Sequence, residues 1–258
     1  MKMLDVFQNY NNYIYNYALK LTCHPEDALD LTQDTFLRAM EKLDTLKSEQ
    51  AVASWLRTIC FHEFVNKTKA NPHKYLVVVE DWEQLEQEGL LLADVTVQPE
   101  DEVIVAEEIS NLQNGCFMAM VRKLTLNQRI TFSLVDMYGL PIEYVAKLLD
   151  ISIGATKGLL YRARMNIDSF FVDHCSIIFE KNPCSCKAWI QFSTNRFNLQ
   201  RKSHKLMEKL DYKQKGYVFS EHVRKKVQHL YHHMPEKMPP TEWYQSVISI
   251  LASEKQGG

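Results

Sequence analysis

Lys157, Tyr161 and Arg164 stand at i, i+4 and i+7, with Arg162 beside them and Thr156 just ahead. On a helix this spacing puts two long cations and a phenol on one face. Such a face suits the phosphates and base edges of a DNA major groove; a helical hairpin with a solvated basic face is the blander alternative. Upstream, Asp27, Asp30, Asp34, Arg38 and Glu41 form a polar stripe, with an Asp34–Arg38 pair expected at i, i+4. Trp55 combines with Arg57, His62, Lys67 and Lys69 in a segment that could stack and hold unpaired bases, or simply be a surface helix with one buried Trp. A fourth set is thiol chemistry: His174, Cys175, Cys184 and Cys186 are a chemically suitable zinc quartet. Their spacing is not that of a standard zinc finger, so metal binding, redox sensing and inert cysteines all stay open.

These residues need elements to position them. Leu140–Ile167 contains two short amphipathic periods, Val145, Ala146, Leu149 and then Thr156, Leu160, Ala163, Ile167, separated by a tight turn. Ser152 is placed to N-cap the second helix, and Gly139 to end the helix that precedes the pair. The pattern is a helix-turn-helix. Phe7–Thr22 reads as a helix with Phe7, Tyr10, Ile14, Tyr17 and Leu21 inward. Pro25 opens a second helix to about Leu43, with Leu29, Phe36, Met40 and Leu43 as its expected buried stripe. A third runs from Ser48 to Ala70, with Trp55, Ile59 and Val65 on its apolar side. Residues 71–101 are acidic and read as a linker; helical periodicity resumes near Val103 and continues to Leu124.

The fold expected is therefore all-α: two small helical domains joined by an acidic linker, the second with a helix-turn-helix, plus a C-terminal helical extension. The boundaries are 1–70, 71–101, 102–172 and 173–258. The extension is basic and aromatic over Lys187–His233 and reads as having its own core. After Pro239-Pro240 a last amphipathic helix, Glu242–Ala252, is expected to dock on it through Trp243, Val247, Ile250 and Leu251.

Composition narrows the function. An apolar fraction of 46% over 258 residues supports folded cores. The net charge of −2 supplies no global field toward nucleic acid, so DNA contact must come from local patches or through a partner. No cleavable signal pattern or membrane-length apolar run is seen, and the six cysteines are unevenly spread, which suggests a reduced, cytoplasmic protein. A Gly-rich phosphate loop, a nucleophile elbow and an HExxH are all absent, which argues against an enzyme.

Three blocks together resemble the extracytoplasmic-function class of bacterial RNA polymerase sigma factors. They are Tyr17–Leu43, Ser54–Phe64 and Leu124–Arg164. The resemblance implies that Asp27, Asp30, Gln33, Asp34, Phe36 and Arg38 face core RNA polymerase. It implies that Trp55, Arg57, Thr58, His62 and Phe64 sit near the melted −10 strand. Thr156, Lys157, Tyr161, Arg162 and Arg164 would serve promoter DNA at the −35 element. It further implies no required cofactor, zinc being at most an addition at the cysteines, no membrane insertion, and an anti-sigma protein as a candidate partner. The chain departs from the family at His62, Lys69-Ala70, Asp150, Leu159, Met165 and Asn166. The last three stand where cations are usual, which would remove phosphate contacts worth about 0.9 each in salt slope. A stand-alone helix-turn-helix regulator is the alternative, but it has no use for the Tyr17–Leu43 block.

Overall fold

The computed structural model describes residues 3–70, 113–114, 116–118, 120–182, 210–232 and 234–253. Every helix and turn named below belongs to these residues, and no extended strand occurs among them. In chain order the helices are α1 (Met3–Thr22), α2 (Pro25–Glu41), α3 (Val52–Ala70), α4 (Leu126–Phe132), α5 (Ile142–Leu148), α6 (Ile153–His174), α7 (Glu221–His232) and α8 (Thr241–Ser253). The chain divides into two compact units, Met1–Leu76 with Pro235–Gly258, and Val77–Met234. The acidic segment 71–101 lies outside the described residues.

In the first unit α1 buries Phe7, Ile14, Tyr17 and Leu21 as its periodicity predicts, while Tyr10 is only half-buried. Cys23, at φ 55°, turns the chain back, and Pro25 at the first turn of α2 sacrifices no helical hydrogen bond. The buried stripe of α2 differs from the one expected: it is Ala28, Leu31, Thr32, Thr35, Phe36 and Ala39, with Leu29 and Met40 half-buried. Thr32 and Thr35 donate to the carbonyls of Ala28 and Leu31, both at 2.6 Å. With their hydroxyls satisfied on the helix itself, they present methyl groups to the core. Two small alanines on the same stripe let α1 and α3 approach closely. A 3-10 turn (Glu49–Ala51) precedes α3, so that helix starts at Val52 rather than Ser48. Leu56, Cys60, Phe61 and Phe64 form its inner face with Ile59, while Trp55 and Val65 are half-buried.

The C-terminal helix belongs to this unit, which corrects the expectation that it would dock on the extension. Phe7 is fully buried among Phe36 (centroids 4.9 Å), Tyr244 (5.2 Å) and Trp243 (6.2 Å), and Val247 and Leu251 are buried with them. Ahead of α8, Asn16 grips the chain with one reciprocal pair: its Nδ2 donates to the Lys237 carbonyl and its Oδ1 accepts from the Lys237 N–H, both at 2.9 Å.

In the second unit, residues 116–118 and 120–122 are helical, and α4 runs into a π-helical turn, Ser133–Met137. Gly139, at φ 75°, closes it while Leu140 N–H bonds back to the Leu134 carbonyl. Asp150 takes the left-handed conformation (φ 54°) between α5 and α6, a position Asp tolerates better than most residues. Ser152 caps α6 by accepting from Ala155 N–H at 3.1 Å. α7 then packs on α6, burying Val223, Val227 and Tyr231. The described parts of 173–258 therefore do not form a separate body: α7 joins the second unit and α8 the first.

Candidate functional site

On α6 the structure leaves Lys157, Tyr161 (51% exposed) and Arg162 on the surface. Ile151 and Ile153 are exposed at the turn just ahead of them. Two neighbours named with them behave otherwise. Thr156 is fully buried, its hydroxyl donating to the Ser152 carbonyl at 3.0 Å, so it completes the cap and offers nothing to a groove. Arg164 turns back to Asp136 in a two-pronged pair, Nε to Oδ2 at 2.8 Å and a terminal nitrogen to Oδ1 at 2.5 Å. That geometry satisfies a guanidinium fully on one side. Met165 and Asn166 are both buried, so their lack of charge removes no phosphate contact; only half-buried Leu159 stands where a cation would matter.

The polar edge of α2 carries Asp30, Gln33, Asp34 and Arg38, at i, i+3, i+4 and i+8. The Asp34–Arg38 pair expected within the helix does not form. Arg38 instead reaches Glu41 (2.6 Å) and, across to α3, Glu63 (3.1 Å), while Asp34 pairs with Lys67 of α3. These two bridges fix the edge of α2 against α3. Asp27 and Phe36, expected to face a partner, are buried; the Asp27 carboxylate lies 3.9 Å from His24 Nδ1, and Phe36 fills the Phe7 cluster. Both are corrections: Phe36 falls on the α1 side of the helix, and Asp27 is covered at its first turn beside His24.

On α3, His62 is exposed, Trp55 and Arg57 are half-buried, and Phe64 is fully buried, which takes Phe64 off any outer surface. The Trp55 indole N–H donates to Thr45 Oγ1 at 3.1 Å, and Thr58 donates to the Ser54 carbonyl. Arg57 donates to the Tyr13 hydroxyl and lies over that ring, 5.9 Å from its centroid. Indole and imidazole, seven residues apart, share one side of the helix, while the Arg57 guanidinium leaves from another and is held on Tyr13 of α1.

A constellation not anticipated from sequence lies under α6. Asp168, fully buried, accepts from Arg224 of α7 at 2.6 Å; the same guanidinium reaches Asp136 at 3.4 Å and the Tyr231 hydroxyl. The Tyr231 hydroxyl donates in turn to Asp136 at 3.3 Å. Arg224 also lies over the rings of Phe132 (5.8 Å) and Tyr231 (5.4 Å). Burial pushes the Asp168 carboxyl up to about 6, against the opposing pull of Arg224. One signal was available: an aspartate among Ile167, Phe170 and Phe171 must find a cation if it is buried with them.

Of the cysteine quartet, His174 and Cys175 are core residues. The His174 ring stacks on Phe170 (4.3 Å, 7°) with Nδ1 2.6 Å from the Phe170 carbonyl oxygen, and burial pushes the Cys175 thiol up. Cys184 and Cys186 lie outside the described residues. No metal-ligand group of three or more is present among the described residues.

Comparison with known proteins matches residues 6–71 to the family described as Sigma-70 region 2, and residues 114–167 to Sigma-70, region 4. The chain is 28% identical over 163 residues to RNA polymerase sigma factor YlaC of Bacillus subtilis, spanning 63% of this chain and 88% of that protein. It is 27% identical over 159 residues to ECF RNA polymerase sigma factor BldN of Streptomyces coelicolor, 61% of this chain and 56% of that one. ECF RNA polymerase sigma factor SigW of Bacillus subtilis gives 25% over 162 residues, 62% and 83%. Asp168, Arg224 and α8 all lie beyond residue 167, where the second family match ends.

Proposed function

The chain belongs to the extracytoplasmic-function class of bacterial RNA polymerase sigma factors, and on that premise we propose how its surfaces divide the work of initiation. It is a transcription initiation factor that brings core RNA polymerase to selected promoters. We assign core binding to the α2 edge of Asp30, Gln33, Asp34 and Arg38, contact with the opened −10 strand to Trp55, Arg57 and His62, and the −35 element to Lys157, Tyr161 and Arg162. The observation that carries this division is exposure: each of these sets lies at least partly on the surface, while the buried members of the motifs are occupied in packing.

The assignment asks for no chemistry of bond making and no cofactor. It places the protein where polymerase is, in the cytoplasm, and no described helix is long and apolar enough to cross a membrane. An anti-sigma protein would act most directly by covering the α2 edge. A regulator that works without polymerase is not favoured, because a first unit with a charged α2 edge adds nothing to operator binding.

With only three exposed groups on the face of α6, intrinsic promoter affinity is expected to be weak and strongly salt-dependent. Docking to polymerase then supplies most of the affinity, with electrostatics setting the register of the α2 edge. Reversal of charge at Asp30 (Asp30→Arg) is expected to weaken core binding by about tenfold or more, ~1.4 kcal/mol, while the fold survives. Asp34→Arg should weaken it as well, and it also breaks the bridge to Lys67. Core affinity of the Asp30→Arg protein equal to wild type, measured by fluorescence anisotropy of labelled protein, would remove the α2 edge from the interface.

A further inference from the structure

Beside the recognition helix the second unit contains a cleft of about 320 Å³. One wall is the helix-turn-helix body, with Lys123, Gln128, Arg162 and Asn166; the other is the extension, with Asp211, Tyr212 and Lys213. We propose that this cleft is a binding site for a small phosphorylated ligand, one that fastens the 211–217 loop to α6.

Three features carry this. The first is charge: Lys123, Arg162 and Lys213 come from three separate stretches of chain and converge on one concavity, against the single carboxylate of Asp211. That carboxylate already accepts from the Lys213 backbone N–H at 3.0 Å. The Arg162 guanidinium and the Lys213 ammonium together match a phosphate monoester, which carries about −1.5 to −2 at neutral pH, better than they match a carboxylate. Neither Arg162 nor Lys213 has an acidic partner among the described residues.

The second is a built floor. Asn166 and Gln128 are both more than nine-tenths buried, with Asn166 Nδ2 donating to Gln128 Oε1 at 3.4 Å. Asn166 Oδ1 accepts from the Tyr212 backbone N–H at 3.1 Å, so the floor also anchors the far wall. The third is a preformed loop. Tyr217 N–H bonds back to the Tyr212 carbonyl at 3.0 Å, and Gly216 supplies the left-handed residue (φ 63°) that this turn requires. Burial pulls the Lys123 ammonium downward, a displacement that a bound anion would reverse. The size is at the low end for small-molecule sites, and a concave pocket with few convergent polar groups is their usual form.

The position gives the site a consequence. Tyr212 meets Tyr161 edge-on at 6.4 Å, and Arg162 belongs both to the cleft and to the exposed face of α6. A ligand that draws Arg162 inward competes with DNA for it, and by linkage DNA weakens the ligand to the same degree.

The test titrates the full chain with inorganic pyrophosphate and, separately, with duplex DNA. Pyrophosphate is expected to bind saturably, to raise the melting temperature of the chain, and to shift the backbone amides of Tyr212 and Lys213 in NMR spectra. Lys213→Ala, at an exposed position that leaves the fold intact, should weaken it by about tenfold, and Lys123→Ala likewise. Non-saturable binding overturns the proposal, as does equal affinity in both variants. So does a loss confined to duplex DNA, which would make these cations backbone contacts for DNA instead.

Discussion

Replacing Arg224 with alanine is expected to destabilise the helix-turn-helix unit by about 3–5 kcal/mol, the usual consequence of removing one partner from a buried ion pair. Asp168 is fully buried, and Arg224 is its hydrogen-bonding partner; Asp136 and the Tyr231 hydroxyl lose a contact at the same time. Denaturant unfolding followed by near-UV signal measures the loss directly. The pH dependence supplies a second readout. The native Asp168 carboxyl is pushed from 3.8 up to about 6, so between those values the folded state holds more protons than the unfolded state. This group's contribution to stability is therefore fully present below pH 4 and is lost as pH rises through 6. Asp168→Asn should flatten that part of the stability profile. An Arg224→Ala protein as stable as wild type would show that α7 is an ornament on the unit rather than part of it.

Introducing a carboxylate at Val247 (Val247→Asp) should release α8 from the first unit. Val247 is fully buried beside the Phe7 cluster, and an unpaired charge there would cost about 3 kcal/mol or more, so the helix leaves rather than keep the charge dry. Its departure uncovers Phe7 and opens the Asn16–Lys237 pair. Trypsin cleavage after Lys237 is the readout, since a backbone held at both its N–H and its carbonyl cannot enter a protease site. Cleavage in the variant should be many times faster than in wild type. Equal cleavage rates would mean that α8 contributes nothing to the unit.

These two effects concern what the sequence hid, and the reason is distance along the chain. The helix-turn-helix was legible because its determinants are local: the apolar period, Ser152 at the cap, Asp150 in the turn, Gly139 at the preceding stop. The three-helix order of the first unit was legible for the same reason. The face of α2 was not, because Thr32 and Thr35 bury polar-looking residues by bonding to their own helix. Arg164 read as a DNA contact because its partner, Asp136, sits 28 residues away. Arg224 and Asp168 are 56 apart, and Asn16 and Lys237 are 221 apart. No periodicity reports pairings at that range. The extension looked like a domain because its composition changes, yet its described helices complete the two units that precede it.

As a sigma factor, this chain is expected to confer promoter selection on core polymerase. In vitro transcription from fragmented genomic DNA, with core polymerase and start-site mapping, tests it most directly. Discrete start sites that share upstream −10 and −35 sequences and require both core and this chain are the predicted result. Absence of core-dependent initiation at any genomic promoter would contradict it.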